Sequence, residues 1–344
     1  MNKSKILVAQ SGGVDSSTAA AILKEQGYYV EGATMWFEGV LEEDLDFAQK
    51  TCEKLAIRHR TLDFKEIYQQ TVIDNFVEEY KIGRTPNPCV WCNKFIKFGL
   101  FLEKAESLGF DRIATGHYAG IVKTGETYTL KQGVDKNEQS YFLYRLDQYQ
   151  LSKIIMPLCN HTKKQVRSLA KEYGLPTAQR KKSQDVCFLP DGDYARYFRK
   201  IMTFNPGSII SKHGKKIGDH KGIAFYTYGQ RKGLGISHKK PYYVIKIDAL
   251  KNVLYVGEKE DVYKRELIAG DLSFISGKEL AGAVAVFAKA RYNAPLALAI
   301  IEKIGDKVKV IFDKPQWALT PGQSVVFYQE GNVLGGGIIE EIVG

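Results

Sequence analysis

Cys92 stands in a sequence setting that favours thiol chemistry. It belongs to "RTPNPCVWCNKFIKFG" (84–99), in which two prolines stiffen a loop and Lys94 and Lys97 follow the cysteine. We predict a helix over 93–108, which places Cys92 where the loop enters that helix. Because a helix N-terminus and nearby ammonium groups lower the pKa of a thiol, the pattern predicts a nucleophilic thiolate.

Cys187 is a second candidate, in "RKKSQDVCFLP" (180–190), which begins with three basic residues. Its surroundings are too polar for a core strand, so an accessible thiol is favoured over a buried, inert one. Cys52 and Cys159 lie in apolar or helical contexts and are predicted to be packing residues. Structural zinc on the C-x-x-C pair that ends at Cys92 is the alternative, but the sequence has no second C-x-x-C or H-x₃₋₅-H pair.

The chain also opens on a pattern that predicts an anion-binding site. In "KILVAQSGGVDSSTAAAILKEQG" (5–27) an apolar strand runs through a glycine turn into a helix. Backbone N–H groups of such a turn and the helix dipole attract phosphate, and Gly12 and Gly13 allow close approach. Asp15 is expected to bind Mg²⁺ that bridges to phosphate, with helix capping as the alternative.

This loop has neither the spacing and lysine of a Walker A loop nor the dinucleotide pattern G-x-G-x-x-G. "SGGVDS" resembles the pyrophosphate loop of the ATP-pyrophosphatase superfamily, whose members include GMP synthetase, NAD synthetase and several tRNA-thiolating enzymes. The resemblance implies that ATP is split between its α and β phosphates. It also implies that a substrate oxygen is adenylated, so that a nucleophile can then displace AMP.

The elements that must position these residues change in type along the chain. Strands alternating with helices predict an α/β domain, a doubly wound parallel sheet with helices on both faces. We expect strands at 5–10, 28–37, 58–64 and 111–119, and helices at 15–27, 41–57, 65–81 and 93–108. Glycine and basic residues dominate from about residue 205, and short alternating runs after 241 predict a small β-barrel. We therefore divide the chain into a catalytic domain (1–200), a small basic β-rich domain (201–265) and a C-terminal β-barrel (266–344).

Composition and charge limit the class of protein. No apolar run approaches the ~20 residues that span a bilayer, and the N-terminus has no signal-peptide pattern. With five irregularly spaced cysteines, the chain is expected to be a cytoplasmic protein with reduced thiols and no membrane partner. The net charge is +10, and residues 163–240 alone hold 18 basic and 5 acidic residues. This excess predicts a polyanion-binding surface, with a solvated basic face as the alternative.

Six motifs in order carry a closer resemblance: "SGGVDSS", "TPNPCVWCNKFIKFG", "ATGHYA", "QSYFLYRL", "KKSQDVCFLP" and "YTYGQRKGLGI". Together they resemble the tRNA-specific 2-thiouridylase family, MnmA/TrmU, over essentially the whole chain. The resemblance implies that sulfur replaces O2 of the wobble uridine of certain tRNAs. By position, Cys92 matches the family's nucleophile and Cys187 matches the cysteine that carries a persulfide.

The resemblance also implies a reaction sequence. ATP adenylates the uridine carbonyl oxygen, and a sulfur-relay protein or cysteine desulfurase loads Cys187. C2 is then attacked by the persulfide itself or by sulfide released when Cys92 attacks the persulfide. Both cysteines end as a disulfide that must be reduced, which suits two thiols far apart in sequence.

Further residues are assigned by the same resemblance. The positions that match the ATP site are Ala9, Gln10, Ser11, Gly12, Gly13, Val14, Asp15, Ser16, Met35 and Gly116. The positions that match contacts to tRNA, through its anticodon stem-loop, are Asn87, Pro88, Cys89, His117, Asn137, Glu138, Gln139, Arg291, Tyr292 and Gln323. An arginine beside a tyrosine suits phosphate binding with base stacking, although on a β surface such a pair is often a cross-strand contact. A histidine satisfied within a turn is the alternative for His117.

The chain departs from the family pattern at Cys89, where some members have aspartate. A carboxylate is therefore missing from the loop that meets the target base. We hypothesise that Cys89, Cys92 and Cys187 could instead hold an iron–sulfur cluster, which would make anaerobically purified protein brown.

Two other functions stay open. An amide-forming ATP pyrophosphatase would need neither reactive thiol. A tRNA-binding adaptor with a decayed nucleotide site would need no intact "SGGVDSS".

Overall fold

The computed structural model describes residues 4–180, 186–189, 193–236 and 240–343. Strands and helices alternate over the first of these ranges. Their order is β1 (Lys5–Ala9), α1 (Val14–Glu25), β2 (Tyr29–Trp36), α2 (Glu42–Lys54), β3 (His59–Asp63), α3 (Lys65–Tyr68), a π-helical turn (Gln69–Ile73), α4 (Asp74–Lys81), α5 (Pro88–Trp91), a π-helix (Cys92–Leu100), α6 (Phe101–Ser107), β4 (Arg112–Ala114), β5 (Ala119–Thr124), β6 (Thr127–Gln132), a 3₁₀ turn (Ser140–Leu143), α7 (Gln148–Lys153), β7 (Ile154–Ile155) and α8 (Lys163–Glu172).

Five strands form a parallel sheet in the order β3-β2-β1-β4-β7, as predicted for a doubly wound fold. The central strand β1 is apolar because helices cover both of its faces, and Ile6, Leu7 and Val8 are fully buried. The strand order reverses between β1 and β4. Ligands of such sheets bind in the crevice at this switch point, beyond the carboxyl ends of the strands. The loops that follow β1 and β4 begin there, at Gln10 and Thr115.

A smaller domain follows α9 (Tyr194–Ile201). It contains β8 (Gly207–Ser211), β9 (Lys216–His220), a 3₁₀ turn (Ile223–Phe225), β10 (Tyr243–Asp248) and β11 (Val253–Gly257). These strands form a four-stranded sheet in the order β10-β11-β8-β9. Its core holds Ile209, Val244 and Leu254, so this glycine-rich and basic region still buries an apolar centre.

The C-terminal strands close into a barrel, as predicted. They are β12 (Tyr263–Phe274), β13 (Val284–Lys289), β14 (Ala297–Ile304), β15 (Lys307–Trp317), β16 (Ser324–Gln329) and β17 (Asn332–Val343), with a 3₁₀ turn (Lys259–Val262) before them. The order β12-β15-β14-β13-β16-β17 is closed by pairing of β12 with β17. The β5–β6 hairpin of the first domain joins this sheet through Lys131 opposite Asn332.

Polar contacts fix the barrel against the catalytic domain. The Tyr141 hydroxyl donates to the Ser324 carbonyl oxygen at 2.8 Å, and Arg145 makes a two-pronged ion pair with Asp271 at 2.6 and 2.8 Å. Barrel residues are thereby held beside the loop that precedes Cys92. None of the described helices is long and apolar enough to cross a bilayer.

Candidate active site

The glycine-rich loop after β1 is shaped by close backbone contacts. Gly13 is the N-cap of α1, and Gly12 has φ +67°, a conformation that favours glycine. A Cβ at Gly12 would lie 2.2 Å from the backbone oxygen of Asp44, so glycine is also required by space. The first turn of α1 then directs its N–H groups and its dipole toward the crevice, which is the arrangement that binds phosphate.

The serines of this loop have different roles. Ser16 and Ser17 are buried and donate to the Gly13 carbonyl oxygen at 3.1 and 2.9 Å, so they hold the turn together. The Ser16 hydroxyl also accepts from the Ser11 backbone N–H at 3.2 Å. Ser11 is exposed, and its hydroxyl can also be offered to a ligand.

Asp15 is paired within the protein. Lys163 Nζ lies 2.7 and 2.6 Å from its two carboxylate oxygens, and the Tyr118 hydroxyl donates to Oδ1 at 2.6 Å. Burial and the neighbouring Asp15 carboxylate raise the pKa of Tyr118, which therefore stays a protonated donor. Lys163 begins α8, so this ion pair brings a cation to the crevice beside the loop.

Two other segments meet the loop. A Cβ at Gly116 would lie 2.7 Å from backbone atoms of both Asp15 and Ser16, so the turn after β4 rests directly against the start of α1. Arg180 Nη1 donates to the Gly12 carbonyl oxygen at 2.8 Å and pairs with Asp44 at 2.9 Å. The two lysines that follow Arg180 lie outside the described residues. Met35, near the end of β2, pairs with Leu62 and is half-buried.

Cys92 begins the π-helix that follows α5. Helical structure starts at Pro88, with Asn87 as N-cap, rather than at 93 as predicted. Cys92 is therefore inside the helical run and 5% exposed. Because a π-helix closes hydrogen bonds between residues five apart, it brings Lys97 over the same face as Cys92.

The predicted lowering of the Cys92 pKa is wrong in this conformation. Burial raises the pKa of Cys92 to about 12, and the neighbouring Cys187 and Cys89 also raise it. Lys97 acts in the opposite direction. Burial disfavours the charge of Lys97, but the three thiols outweigh this and raise its pKa. Lys94 instead pairs with Asp147 and Gln150, each at 2.9 Å.

Cys187 joins this group from far along the chain. It is exposed, and its Sγ lies 3.0 Å from the Tyr68 hydroxyl oxygen. A Cβ at Gly39 would lie 2.2 Å from the Cys187 backbone oxygen, so the two segments are packed backbone to backbone. Burial is the main reason that the pKa of Tyr68 is raised, and Cys187, Cys92 and Cys89 raise it further. In contrast, Cys52 and Cys159 are buried, as predicted.

The thiol cluster, Cys89, Cys92 and Cys187, lies near the glycine-rich loop. Gly39 touches Cys187 and Asp44 touches Gly12, and the five residue-to-residue steps from Gly39 to Asp44 span at most about 18 Å even when extended. Within the described residues, no three His, Cys, Asp or Glu side chains form a group that could hold a metal ion. The iron–sulfur cluster therefore stays a prediction, as does Mg²⁺ at Asp15.

Most of the catalytic-domain residues that the sequence assigns to tRNA contacts make hydrogen bonds or ion pairs within the protein. His117 is buried, its Nδ1 lies 2.8 Å from Thr115 Oγ1, and burial together with Lys97 lowers its pKa well below the ordinary value. Gln139 Oε1 accepts from the Tyr118 backbone N–H at 3.0 Å. Asn137 donates to Asp135, and Glu138 accepts from Ser140 and pairs with Lys289 of the barrel.

Of the predicted barrel residues, Gln323 meets the start of the loop that carries Asn87, Pro88 and Cys89. Gln323 Nε2 donates to the carbonyl oxygens of Thr85 and Pro86 at 2.9 and 3.2 Å. Arg291 is half-buried and donates to Ala318 and Thr320, while Tyr292 packs on Phe142 with ring centroids 4.5 Å apart. The tertiary structure thus brings the C-terminal barrel to this loop through Gln323.

Sequence reasoning missed several residues of the site, namely Gly39, Tyr68, Tyr118, Lys163 and Arg180. Arg180 sits in the basic run before Cys187, and this position was the available signal. Gly39 and Tyr118 lie in loops and Tyr68 and Lys163 lie in helices, and only their long-range contacts reveal them.

A glycine-rich loop that opens a helix at the switch point of a doubly wound sheet defines a nucleotide-binding α/β domain. Three family models match consecutive regions: the tRNA methyl transferase HUP domain (4–191), its PRC-barrel domain (195–258) and an aminomethyltransferase beta-barrel domain (264–339). Proteins named tRNA-specific 2-thiouridylase MnmA from Carboxydothermus hydrogenoformans and Acetivibrio thermocellus are 45% and 47% identical, over 99% of this chain and 99% and 100% of theirs. The chain belongs to the tRNA-specific 2-thiouridylase family.

A solved structure with a partial likeness is the U34-tRNA thiolase NcsA from Methanococcus maripaludis. It is 21% identical, with a TM-score of 0.37, over 54% of this chain and 62% of that chain.

Proposed function

We propose that this protein is an ATP-dependent tRNA sulfurtransferase that converts the wobble uridine to 2-thiouridine, with AMP and pyrophosphate as the other products. The observation that carries the proposal is the convergence of Cys92 and Cys187, 95 residues apart in sequence, beside an ATP-pyrophosphatase loop. An amide-forming enzyme of the same class would need no such pair.

Adenylation is assigned to the glycine-rich loop. Its backbone N–H groups and the Ser11 hydroxyl would bind the ATP phosphates, with Lys163 and Arg180 as nearby cations. Mg²⁺ would neutralise phosphate charge, and Asp15 is the carboxylate available to hold it. Because Asp15 is bound by Lys163, we infer that Lys163 turns toward phosphate when Mg-ATP is present.

Sulfur transfer is assigned to the thiol cluster. Cys187 is exposed and can be loaded by a persulfide-donating relay protein or a cysteine desulfurase, whereas the buried Cys92 is protected from solvent oxidants. Attack of the Cys92 thiolate on Cys187 Sγ would form the disulfide and release the outer sulfur. Lys97 is the cation placed to support that thiolate.

Binding of tRNA is assigned to the surface around the loop at 87–89 and to the basic segment. Twelve described basic residues between 163 and 240 are exposed: Lys164, Lys171, Arg196, Arg199, Lys200, Lys212, Lys215, Lys216, Lys221, Arg231, Lys232 and Lys240. Such residues neutralise phosphates and make affinity depend on salt. The domain limits at 1–200, 201–265 and 266–344 stay a prediction, and a tRNA substrate favours a cytoplasmic protein.

The test is nucleoside analysis of tRNA after incubation with the protein, Mg-ATP and a low-molecular-weight persulfide. We expect 2-thiouridine, lost in Cys92→Ser and in Cys187→Ser. Cys52→Ser is the matched control, because Cys52 is buried outside the thiol cluster, and it should stay active. Wild-type protein that consumes ATP with tRNA but forms no 2-thiouridine would contradict the proposal.

A further inference from the structure

Tyr68 is the residue whose hydroxyl meets Cys187. It ends α3 and is 1% exposed. Its ring stacks on Phe37, with centroids 4.1 Å apart and planes 9° from parallel. Phe188, the neighbour of Cys187, meets the same ring edge-on at 6.3 Å. Packing on both sides therefore fixes where the hydroxyl points.

The helix around Tyr68 departs from regular geometry at this point. A π-helical turn, Gln69–Ile73, starts directly after it, and the second π-helix starts at Cys92. Residues of the two π-helical segments lie against each other. π-Helical turns are rare and occur frequently at functional sites. Here the first π-helical segment begins next to Tyr68, and the second begins at Cys92.

The chemistry of the hydroxyl suits a sulfur partner. Burial raises the pKa of Tyr68, and Cys187, Cys92 and Cys89 raise it further. The phenol therefore stays protonated at physiological pH and can donate its hydrogen to sulfur.

We propose that Tyr68 is a catalytic residue of sulfur transfer, whose hydroxyl donates to Cys187 Sγ and holds that atom in position for attack by Cys92. The proposal rests on the proposed function. After Cys92 has lost its proton, its thiolate forms a bond to Cys187 Sγ. The bond from Sγ to the outer sulfur breaks, and the outer sulfur leaves with the electron pair, as sulfide or as the sulfur of 2-thiouridine. A dithiol reductant then restores both thiols.

The test uses Tyr68→Phe in the full chain, which keeps the ring and removes only the hydroxyl. Tyr80→Phe is the matched control, because Tyr80 lies on the same helical run and in the same core, and its ring packs on Phe76 and Tyr194. Each protein is loaded with persulfide at Cys187. Single-turnover release of the outer sulfur without tRNA, 2-thiouridine formation, and AMP formation with tRNA are then measured.

We expect Tyr68→Phe to slow sulfur release and 2-thiouridine formation about fivefold, the effect of losing one hydrogen bond between neutral groups. AMP formation and the melting temperature should match those of Tyr80→Phe. Sulfur release at the wild-type rate would overturn the proposal, and so would an equal loss of AMP formation, which would indicate a general structural role. Wild-type protein that releases sulfur but never forms 2-thiouridine would instead contradict the proposed function alone.

Discussion

The glycine-rich loop and the thiol cluster are built in opposite ways. The loop comes largely from one continuous stretch, and its serines hydrogen-bond within a few residues of themselves. The thiol cluster comes from separate segments, and the hydrogen bond between Tyr68 and Cys187 joins residues 119 apart in sequence. A local motif can be recognised as a string of residues, whereas a cluster of this kind depends on the whole fold.

Charge does not follow this division, because distant parts of the fold set it in both regions. Asp15 meets Lys163 from a distant helix, and the pKa of Cys92 is raised by burial, which overrides the local helix and lysine effects. Local sequence therefore named the candidate residues but did not predict their electrostatic state. Three substitutions test the functions of the two regions independently.

Gly12→Ala should give the largest effect, and it acts on the loop. The alanine would need an unfavourable φ, and its Cβ would meet the Asp44 backbone at 2.2 Å. A shift of about 1 Å at a reacting group can cost about a hundredfold in rate. We expect AMP formation and 2-thiouridine formation to fall together by about that factor. AMP release at the wild-type rate would show that the loop does not hold ATP.

Gly39→Ala tests the thiol cluster with the same kind of strain. Its φ is +94°, and the new Cβ would meet the Cys187 backbone at 2.2 Å. We expect 2-thiouridine formation to fall about tenfold or more while AMP formation stays within about twofold, because the Cys187 segment moves and the loop does not. Gly125→Ala is the control for backbone strain, since φ is +60° and nothing lies near its Cβ. Equal losses in both reactions would remove the distinction between the regions.

Lys97→Met should give the smallest effect, confined to Cys92. Lys97 lowers the pKa of Cys92, so the loss of Lys97 raises that pKa further. Each unit lowers the thiolate fraction at neutral pH about tenfold. Alkylation of Cys92, measured by peptide mass mapping, should become slower by the same factor. The pH profile of the alkylation rate should move to higher pH.

Lys94→Met is the matched control for this change, because Lys94 pairs with Asp147 and Gln150 instead. If the two variants alkylate equally fast, Lys97 does not support the thiolate.

Much of the fold could be predicted because its signals are local. The run at 5–10 and the helix after it follow from apolar periodicity and glycine, and the alternating runs at 266–344 indicate strands that close into a barrel. The run at 242–248, which the same pattern assigned to the barrel, instead forms β10 of the four-stranded sheet. The start of the helix at Pro88 was missed, since proline at a first helical position resembles a loop signal. The β5–β6 hairpin that joins the barrel sheet was missed because strand pairing depends on distant partners.

By itself, the sequence predicted the nucleotide loop, two candidate reactive cysteines and the order of the domains, because these predictions use residue types at short spacing. Only the tertiary structure decided that Tyr68 meets Cys187, that Lys163 neutralises Asp15, and that Cys92 is buried beside Lys97. The physical reason is that burial and long-range packing set hydrogen bonds and pKa values. These depend on which surfaces meet once the chain has folded.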